Sequence, residues 1–205
     1  NIQGIGDKHV PLIHNVTNTD LVVGISDRST DHLDVLFNSP AGRRLLETRG
    51  VGPAVIETLV DLGYSAICNT LAAITAAKRW NLGPDDVLVT VATDGSELYN
   101  SEREKVMSAH YPGGFDDAEA EAVFAEHLAS VDTTHILDLD PAVDPTARDR
   151  VFNLGYFTWV EQQGVSIADF ERRRDQTWWD GLRPLIGTWD AMIEEFNDAT
   201  GCRIG

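Results

Sequence analysis

Residues 87–101 read VLVTVATDGSELYNS, and this stretch decides the predicted fold. Residues 87–92 form an apolar, β-branched run without polar alternation, which is typical of a strand buried on both faces of a parallel sheet. Ligands of open α/β sheets bind just beyond the carboxyl ends of such strands. Thr93, Asp94 and Gly95 follow the run directly. They are therefore predicted to form either a ligand site or a simple Asp-Gly turn, and the segment alone favours neither.

The segments around this run predict helices and a second strand. Residues 21–25 are predicted as a short buried strand, and residues 67–80 as a helix whose small apolar face suits close packing on a sheet. Another helix is predicted to open at Pro53, because proline suits the first helical position. Residues 152–163 and 167–196 are predicted as a helical tail. The predicted fold class is thus α/β, a parallel sheet flanked by helices with a C-terminal helical tail.

The composition limits the partners and the compartment. The chain has 205 residues and a formal charge of −17. Proteins that bind nucleic acid or anionic membranes need clustered lysine and arginine, so the composition argues against both as partners. The two cysteines, Cys68 and Cys202, match no disulfide framework and favour a reducing cytoplasm. No apolar run approaches the ~20 residues that cross a bilayer. The start at Asn1, in a glycine turn, predicts a part of a longer or processed polypeptide.

A second informative segment, residues 2–11, reads IQGIGDKHVP. Gly4 and Gly6, at alternate positions, would let the backbone approach a flat or anionic ligand. The pattern is not a dinucleotide fingerprint, because no strand precedes it and no third glycine opens a helix. Taken by itself, the segment is best interpreted as an ordinary loop.

A third segment, residues 62–74, reads LGYSAICNTLAAI. A glycine turn followed by small polar residues at a helix N-terminus can bind an anion or orient a ring. For Asn69 or Thr70, a simple N-cap is the better interpretation. Cys68 could be a thiolate stabilised by the helix N-terminus, but a small buried residue is the better interpretation.

Taken in order, the three segments resemble the C-terminal half of the cysteine synthase-like enzymes. These are pyridoxal-phosphate enzymes of fold type II, which include O-acetylserine sulfhydrylase, cystathionine β-synthase and threonine synthase. GIGDKHVP is similar to the family's Gly-Ile-Gly segment beside the cofactor, and GYSAICNTLAAI to its Gly-Ile-Ser-Ser-Gly-Ala helix start. DDVLVTVATDGSELYNSE is similar to the strand ending in Asp-Ser-Gly-Glu-Arg-Tyr, where a side chain meets the pyridine nitrogen. The match covers roughly residues 1–102.

The resemblance implies a fold, a cofactor and a reaction. The fold would be part of a tryptophan synthase β-like fold. Residues 1–110 would be the C-terminal part of the cofactor-binding α/β domain, and residues 111–205 a helical extension. The cofactor would be pyridoxal 5'-phosphate, used for β-elimination or β-replacement on an amino acid with a leaving group at Cβ. The protein would be a cytoplasmic homo- or hetero-oligomer.

The resemblance also assigns contacts to the cofactor. Three residues would flank its ring: Gly4, Ile5 and Gly6. Gly95 would leave room for the ring. The partner of the pyridine nitrogen would be Thr93 or Asp94, because a one-residue shift in the match decides between them. The family's usual neutral hydroxyl slightly favours Thr93, whereas a carboxylate would keep the nitrogen protonated and make the ring a stronger electron sink.

One departure from the family is the lysine that holds the cofactor as a Schiff base. This chain has Lys8, Lys78 and Lys105, none at the family's position, and it has no phosphate-cradling glycine loop. The resemblance therefore implies that an N-terminal portion or a partner chain carries both, and it leaves the catalytic residues of this chain unknown. The alternative is a non-catalytic subunit or regulatory module that retains the fold without the chemistry.

Two of the histidines are candidate metal ligands. His9 and His14 lie five residues apart in a loop, with Asp7 nearby, but a third firm ligand is not evident. Ordinary hydrogen bonds are the better interpretation, so no metal is predicted. The other histidines are dispersed along the chain, which favours structural or solvated roles: His32, His110, His127 and His135.

Overall fold

The computed structural model describes residues 10–131 and 133–202. The chain divides into two compact units. The first runs from residue 21 to residue 137, and the second combines residues 10–20 with residues 138–202. The boundaries between the units therefore fall near residues 20 and 137.

The predicted parallel sheet flanked by helices is wrong. In the described part of the chain the sheet has two short strands, β1 (Leu21–Val23) and β2 (Ile136–Asp138), and they pair antiparallel. At one end of the pair, Gly24 N donates to His135 O at 2.8 Å. The fold belongs to a mostly helical class.

The predicted central strand, residues 87–93, has no regular secondary structure. Its side chains were expected to be buried, yet Val87 is 82% exposed and Val89 is 90% exposed. β-branched residues favour a strand only where a second strand pairs with the backbone, and the described residues place no strand beside this run. The one described bond to its backbone comes from Asn69 Nδ2, which donates to Val91 O at 3.0 Å.

The first unit is built from helices. In its described residues these are α1 (Asp27–Asn38), α2 (Pro40–Thr48), α3 (Pro53–Thr58), α4 (Tyr64–Trp80), α5 (Asn100–His110) and α6 (Asp117–Phe124). A π-helical turn, Ala125–Ala129, continues α6. Turns of 3-10 helix lie before α4 and α5, at Leu59–Asp61 and Ser96–Tyr99. The helix predicted to open at Pro53 is confirmed, and the helix predicted at 67–80 is confirmed as α4, which begins three residues earlier.

The core of the first unit joins α1, α2, α4 and α6. Leu33 and Leu36 of α1 are fully buried, and they share one apolar cluster with Ile67 and Leu71 of α4 and Val123 of α6. Burial of one such side chain stabilises the fold by about 1.5–3 kcal/mol. The cluster therefore fixes α4 against α1 and, with it, the position of the N-terminal end of α4.

The helical tail of the second unit has four described α-helices: α7 (Ala147–Asn153), α8 (Ile167–Arg172), α9 (Gln176–Asp180) and α10 (Ile186–Thr200). A π-helical turn, Phe157–Gln162, follows α7, and a 3-10 turn, Arg183–Leu185, precedes α10. Phe152 and Phe170 are buried, with ring centroids 4.7 Å apart in an edge-to-face arrangement. Trp189 and Phe196 on α10 are exposed. An apolar stripe of α10 thus faces outward.

Candidate functional site

The N-terminal end of α4 and the loop of residues 93–95 lie against each other in the first unit. Gly63 N donates to Asp94 O at 2.8 Å. A Cβ added to Gly63 would lie 2.7 Å from Asp94 O and 2.8 Å from Asp94 Oδ1, which is closer than real Cβ atoms come. Glycine at position 63 therefore permits this contact. Two of the three segments that carry the family resemblance lie side by side.

Replacing Gly63 by alanine is expected to lower the free energy of unfolding by about 2 kcal/mol, because the new methyl group would push against the backbone of Asp94. Chemical denaturation measures this change. Gly113→Ala is the matched control, since a Cβ there meets nothing within 4 Å. Equal stability of the two variants would show that Gly63 and Asp94 are not in contact.

The Asp94 carboxylate is held by two hydroxyl groups. Tyr99 Oη donates to Asp94 Oδ2 at 2.7 Å, and Thr93 Oγ1 donates to Asp94 Oδ1 at 3.0 Å. The bond from Tyr99 lowers the pKa of Asp94, and the same bond raises the pKa of Tyr99 to about 12. The Tyr99 ring stacks on Tyr64 at a centroid distance of 4.5 Å. At neutral pH the loop therefore presents a fixed, ionised carboxylate beside the first residue of α4.

This arrangement makes the loop an acceptor of hydrogen bonds. A threonine hydroxyl has one hydrogen, and that of Thr93 is directed to Asp94, so its lone pairs remain for a ligand. Thr93 is exposed, and Asp94 is partly exposed. A ligand that reaches the loop would meet a neutral acceptor coupled to a negative charge. Such a pair complements a protonated nitrogen rather than a bare one.

Gly95 does not need the conformational freedom of glycine. Its φ of −90° and ψ of 163° are extended backbone that any residue adopts. The space where a Cβ would stand is filled by the Glu97 carboxylate, whose Oε1 would lie 2.8 Å from that atom. The chain bends at Asp94, and Leu98 N donates to Gly95 O at 3.3 Å, so the turn after the apolar run uses a conformation that residues other than glycine also adopt.

A buried ion pair anchors the residue that follows this loop. Ser96 Oγ donates to Asp34 Oδ1 at 2.7 Å and accepts from Asn38 Nδ2 at 2.8 Å. Arg103 binds the same carboxylate through two hydrogen bonds. Nε donates to Oδ2 at 2.7 Å, and Nη2 donates to Oδ1 at 3.1 Å. The Asp34 side chain is wholly buried. Sequence reasoning did not identify this network, which ties the loop to α1 and α5.

The remaining predicted residues are placed as follows. The predicted ring-flanking residues lie outside the described residues: Gly4, Ile5 and Gly6. Lys8 lies outside them as well. Lys78 Nζ donates to Val131 O at 2.6 Å, and Lys105 Nζ pairs with Glu102 Oε1 at 2.6 Å. Both described lysines are thus engaged with groups other than the 93–95 loop.

The helix-start residues of the third segment lie inside α4 instead of at its cap. Because α4 begins at Tyr64, Asn69 cannot be an N-cap, and its amide binds Val91 O. Thr70 Oγ1 donates back to Ala66 O at 2.9 Å within the helix. The prediction of a buried thiol is confirmed, since Cys68 is buried and burial raises the pKa of its thiol.

Three histidines that are far apart in the sequence lie together in the first unit. The His32 ring is 4.9 Å from that of His110 and stacks on that of His127 at 5.2 Å. His32 Nδ1 makes a short hydrogen bond with Tyr111 Oη, and His127 Nδ1 lies 3.2 Å from Ser29 Oγ. These three histidines are dispersed along the sequence, but the fold brings them together. His32 and His127 are buried, whereas His110 is exposed.

Within the described residues, no group of three or more histidine, cysteine, aspartate or glutamate side chains is arranged to hold a metal ion. Over the same residues, no helix is both long and apolar enough to traverse a lipid bilayer.

No protein-family model, no curated protein and no solved structure matches this chain.

Proposed function

We propose that this chain supplies one wall of a pyridoxal-phosphate site that carries out β-elimination or β-replacement on an amino acid. The lysine that binds the cofactor covalently and the loop that binds its phosphate would come from an N-terminal portion or a partner chain. The observation that carries the proposal is the contact of Gly63 with Asp94, which joins two segments of the family resemblance. The proposal does not include a parallel sheet.

The described residues fit one end of this cofactor. Thr93 and Asp94 offer the hydroxyl and the carboxylate that a pyridine nitrogen needs as a partner, and both are accessible. Lys78 and Lys105 are engaged elsewhere, so the described residues do not supply the covalent bond. The fit thus supports a role in holding the ring, with the other contacts made by a second polypeptide segment.

The chemistry assigned to these side chains follows from their charges. When bound, the pyridine ring of the cofactor withdraws electrons from the Cα of an attached amino acid, more strongly when its nitrogen is protonated. Thr93 Oγ1 would accept the hydrogen of that nitrogen, because its own hydrogen is directed to Asp94. Asp94 would stabilise the positive charge, and Tyr99 would hold Asp94 in place. Thr93 and Asp94 were predicted as alternative partners of the nitrogen. In this proposal both take part, Thr93 as the hydrogen-bond acceptor and Asp94 as the negative charge.

The free thiols of Cys68 and Cys202 support a reducing compartment, and we place the protein in the cytoplasm. The substrate would be an amino acid, and the assembly a homo- or hetero-oligomer in which the partner segment completes the site. A non-catalytic module with the same loop is the second candidate, favoured by the engagement of Lys78 and Lys105.

The proposal is tested with pyridoxamine 5'-phosphate, which has no aldehyde and so cannot react with surface lysines. Nuclear magnetic resonance detects weak binding residue by residue. The ligand is expected to shift the amide signals of Gly63 and of residues 93–95. Asp94→Asn is expected to weaken binding roughly tenfold, as loss of an ionic hydrogen bond does. Thr93→Val should also weaken it.

Thr90→Val is the matched control, because it makes the same replacement in the same exposed run. Equal binding by Thr90→Val and Thr93→Val, or shifts confined to other parts of the chain, would refute the proposed site. Addition of pyridoxal 5'-phosphate separates the two candidates. A yellow species that survives dialysis would mean that this chain has its own lysine for the cofactor. Absence of any amide shift with either compound would favour the non-catalytic module.

A further inference from the structure

The run of residues 87–93 is an exposed apolar segment within the first unit. Four of its residues are exposed: Val87, Leu88, Val89 and Val91, at 82%, 44%, 90% and 63%. Monomeric proteins seldom expose several large apolar side chains in a row, and such patches mark interaction surfaces. The run is a candidate interaction surface, because its apolar side chains are exposed to solvent instead of buried.

The backbone of this run is available for pairing. Among its peptide groups, Val91 O has a described partner in Asn69 Nδ2. The turn before it closes with Asp86 N donating to Gly83 O at 3.1 Å, and the loop after it binds Gly63 through Asp94 O. The segment is therefore fixed at both ends while most of its donors and acceptors can meet another chain.

The side chains indicate what would cover them. If the run were extended, its odd-numbered positions would put three valines and Thr93 on one face, and Leu88, Thr90 and Ala92 on the other. Valine, leucine and threonine favour strands that are packed on their faces. A small ligand cannot pair the backbone and cover both faces at once. A strand of a larger polypeptide does so by adding to the run.

Charge argues against a second copy of this chain as that polypeptide. Asp85 and Asp86 precede the run, and Asp94 follows it. Antiparallel pairing of two copies would set Asp86 close to Asp94 of the other copy, and parallel pairing would align like residues, so carboxylates oppose each other either way. The formal charge of −17 on each chain adds repulsion at longer range.

We propose that residues 87–93 are a docking strand for a different polypeptide, one that contributes an apolar β-strand flanked by lysine or arginine. The basic residues would meet Asp85 and Asp86, and the apolar strand would pair with the exposed backbone. This inference does not depend on the cofactor, because it rests on the exposure, the free peptide groups and the flanking charges of the run.

The test uses the full chain and two synthetic peptides. Both peptides have a five-residue core in which valine and threonine alternate. One peptide carries two lysines at each end, and the other carries two glutamates at each end. Hydrogen exchange is expected to be fast at the amides of residues 87–93 in the chain alone, and to slow with the lysine peptide. The glutamate peptide should bind at least ten times more weakly.

Val89→Lys is expected to abolish the protection, and Val55→Lys, which adds the same charge at an exposed valine of α3, is expected to preserve it. Three results would overturn the proposal. The first is slow hydrogen exchange at residues 87–93 in the chain alone. The second is a similar effect of both peptides, or of both variants. The third is a dimer of the natural chain in sedimentation that the Val89→Lys variant does not form. None of these measurements involves the cofactor. If the docking strand is refuted, the amide shifts at Gly63 and residues 93–95 still test the proposed cofactor site.

Discussion

Replacing Arg103 by methionine is expected to lower the free energy of unfolding by about 3–5 kcal/mol, because it leaves a buried carboxylate without its counter-ion. The Asp34 side chain is wholly buried, and both of its oxygens bind the Arg103 guanidinium. Methionine is shorter than arginine, but it replaces the apolar stem and removes the charged guanidinium. The loss is therefore assigned to the charge.

Urea denaturation of the purified chain measures this change. Arg44→Met is the matched control, since Arg44 pairs with Asp117 on the surface and both side chains are more than half exposed. Exposed pairs contribute about 0–1 kcal/mol. The double variant Asp34→Asn/Arg103→Met should be more stable than Arg103→Met alone, because the buried charge is then removed. A loss no greater than that of Arg44→Met would mean that the Asp34 pair is hydrated.

The same replacement bears on the candidate site. Arg103 also donates to Ser96 O at 3.2 Å, and Ser96 follows the loop that holds Thr93 and Asp94. The ion pair thus fixes the loop on α1 and α5, while Gly63 fixes it on α4. A loop held from three helices can present the Asp94 carboxylate in one orientation, which is what recognition of a ring nitrogen requires.

Two helices of the first unit were predicted correctly because the sequence signals for a helix are local. Pro53 starts α3, and the apolar face of residues 67–80 belongs to α4, since both signals act within a few turns of the chain. A strand depends on a partner elsewhere, so the composition of residues 87–93 could indicate a preference for strand but could not supply the partner. The error in fold class follows from that difference.

The anchor of the loop was missed although a signal is present. Asp34 stands within the apolar sequence Leu33-Asp34-Val35-Leu36-Phe37, where a carboxylate must be buried and therefore paired. The identity of its partner was not readable, because Arg103 lies 69 residues away and reaches Asp34 only once α5 packs on α1. The contact of Gly63 with Asp94 was not predicted, although both residues lie in segments that resemble the same family.

The histidine cluster was also invisible in the sequence. His32 lies on α1, His110 on α5, and His127 in the π-helical turn after α6. A π-helical turn changes which side chains share a helix face, so regular spacing does not predict that His127 faces His32. Packing of three separate elements brings the rings together, and that packing has a consequence for acid stability.

Acidification is expected to destabilise the chain through this cluster, with a loss of about 3 kcal/mol from His32 as the pH falls from 6.5 to about 4. Burial, followed by the charges of His127 and His110, lowers the pKa of His32 from 6.5 to about 4. The unfolded chain therefore binds a proton in this window that the folded chain does not bind. The stabilisation is fully present above pH 6.5 and is lost as the pH falls through the window.

Other groups titrate in or near this range and must be separated from His32. Burial also lowers the pKa values of His127 and His14, and both shifts add to the loss. Burial raises the pKa of Asp31, which acts in the opposite direction because the folded chain then binds the extra proton. The hydrogen bond from Tyr99 lowers the pKa of Asp94 below 3.8, so its contribution is lost at more acidic pH. The slope between pH 6.5 and 4 is therefore expected to be dominated by the buried rings.

His32→Gln isolates the contribution of one ring, since glutamine can bond to Tyr111 but does not titrate. Unfolding curves at several pH values should show a shallower loss of stability for His32→Gln than for the natural chain. His135→Gln, an exposed histidine outside the cluster, should retain the full slope. The ring protons of His32 should titrate near pH 4 by nuclear magnetic resonance. A titration midpoint of His32 near pH 6.5 would mean that the ring is hydrated in the folded chain. Protonation of His32 would then not lower the free energy of unfolding at acidic pH.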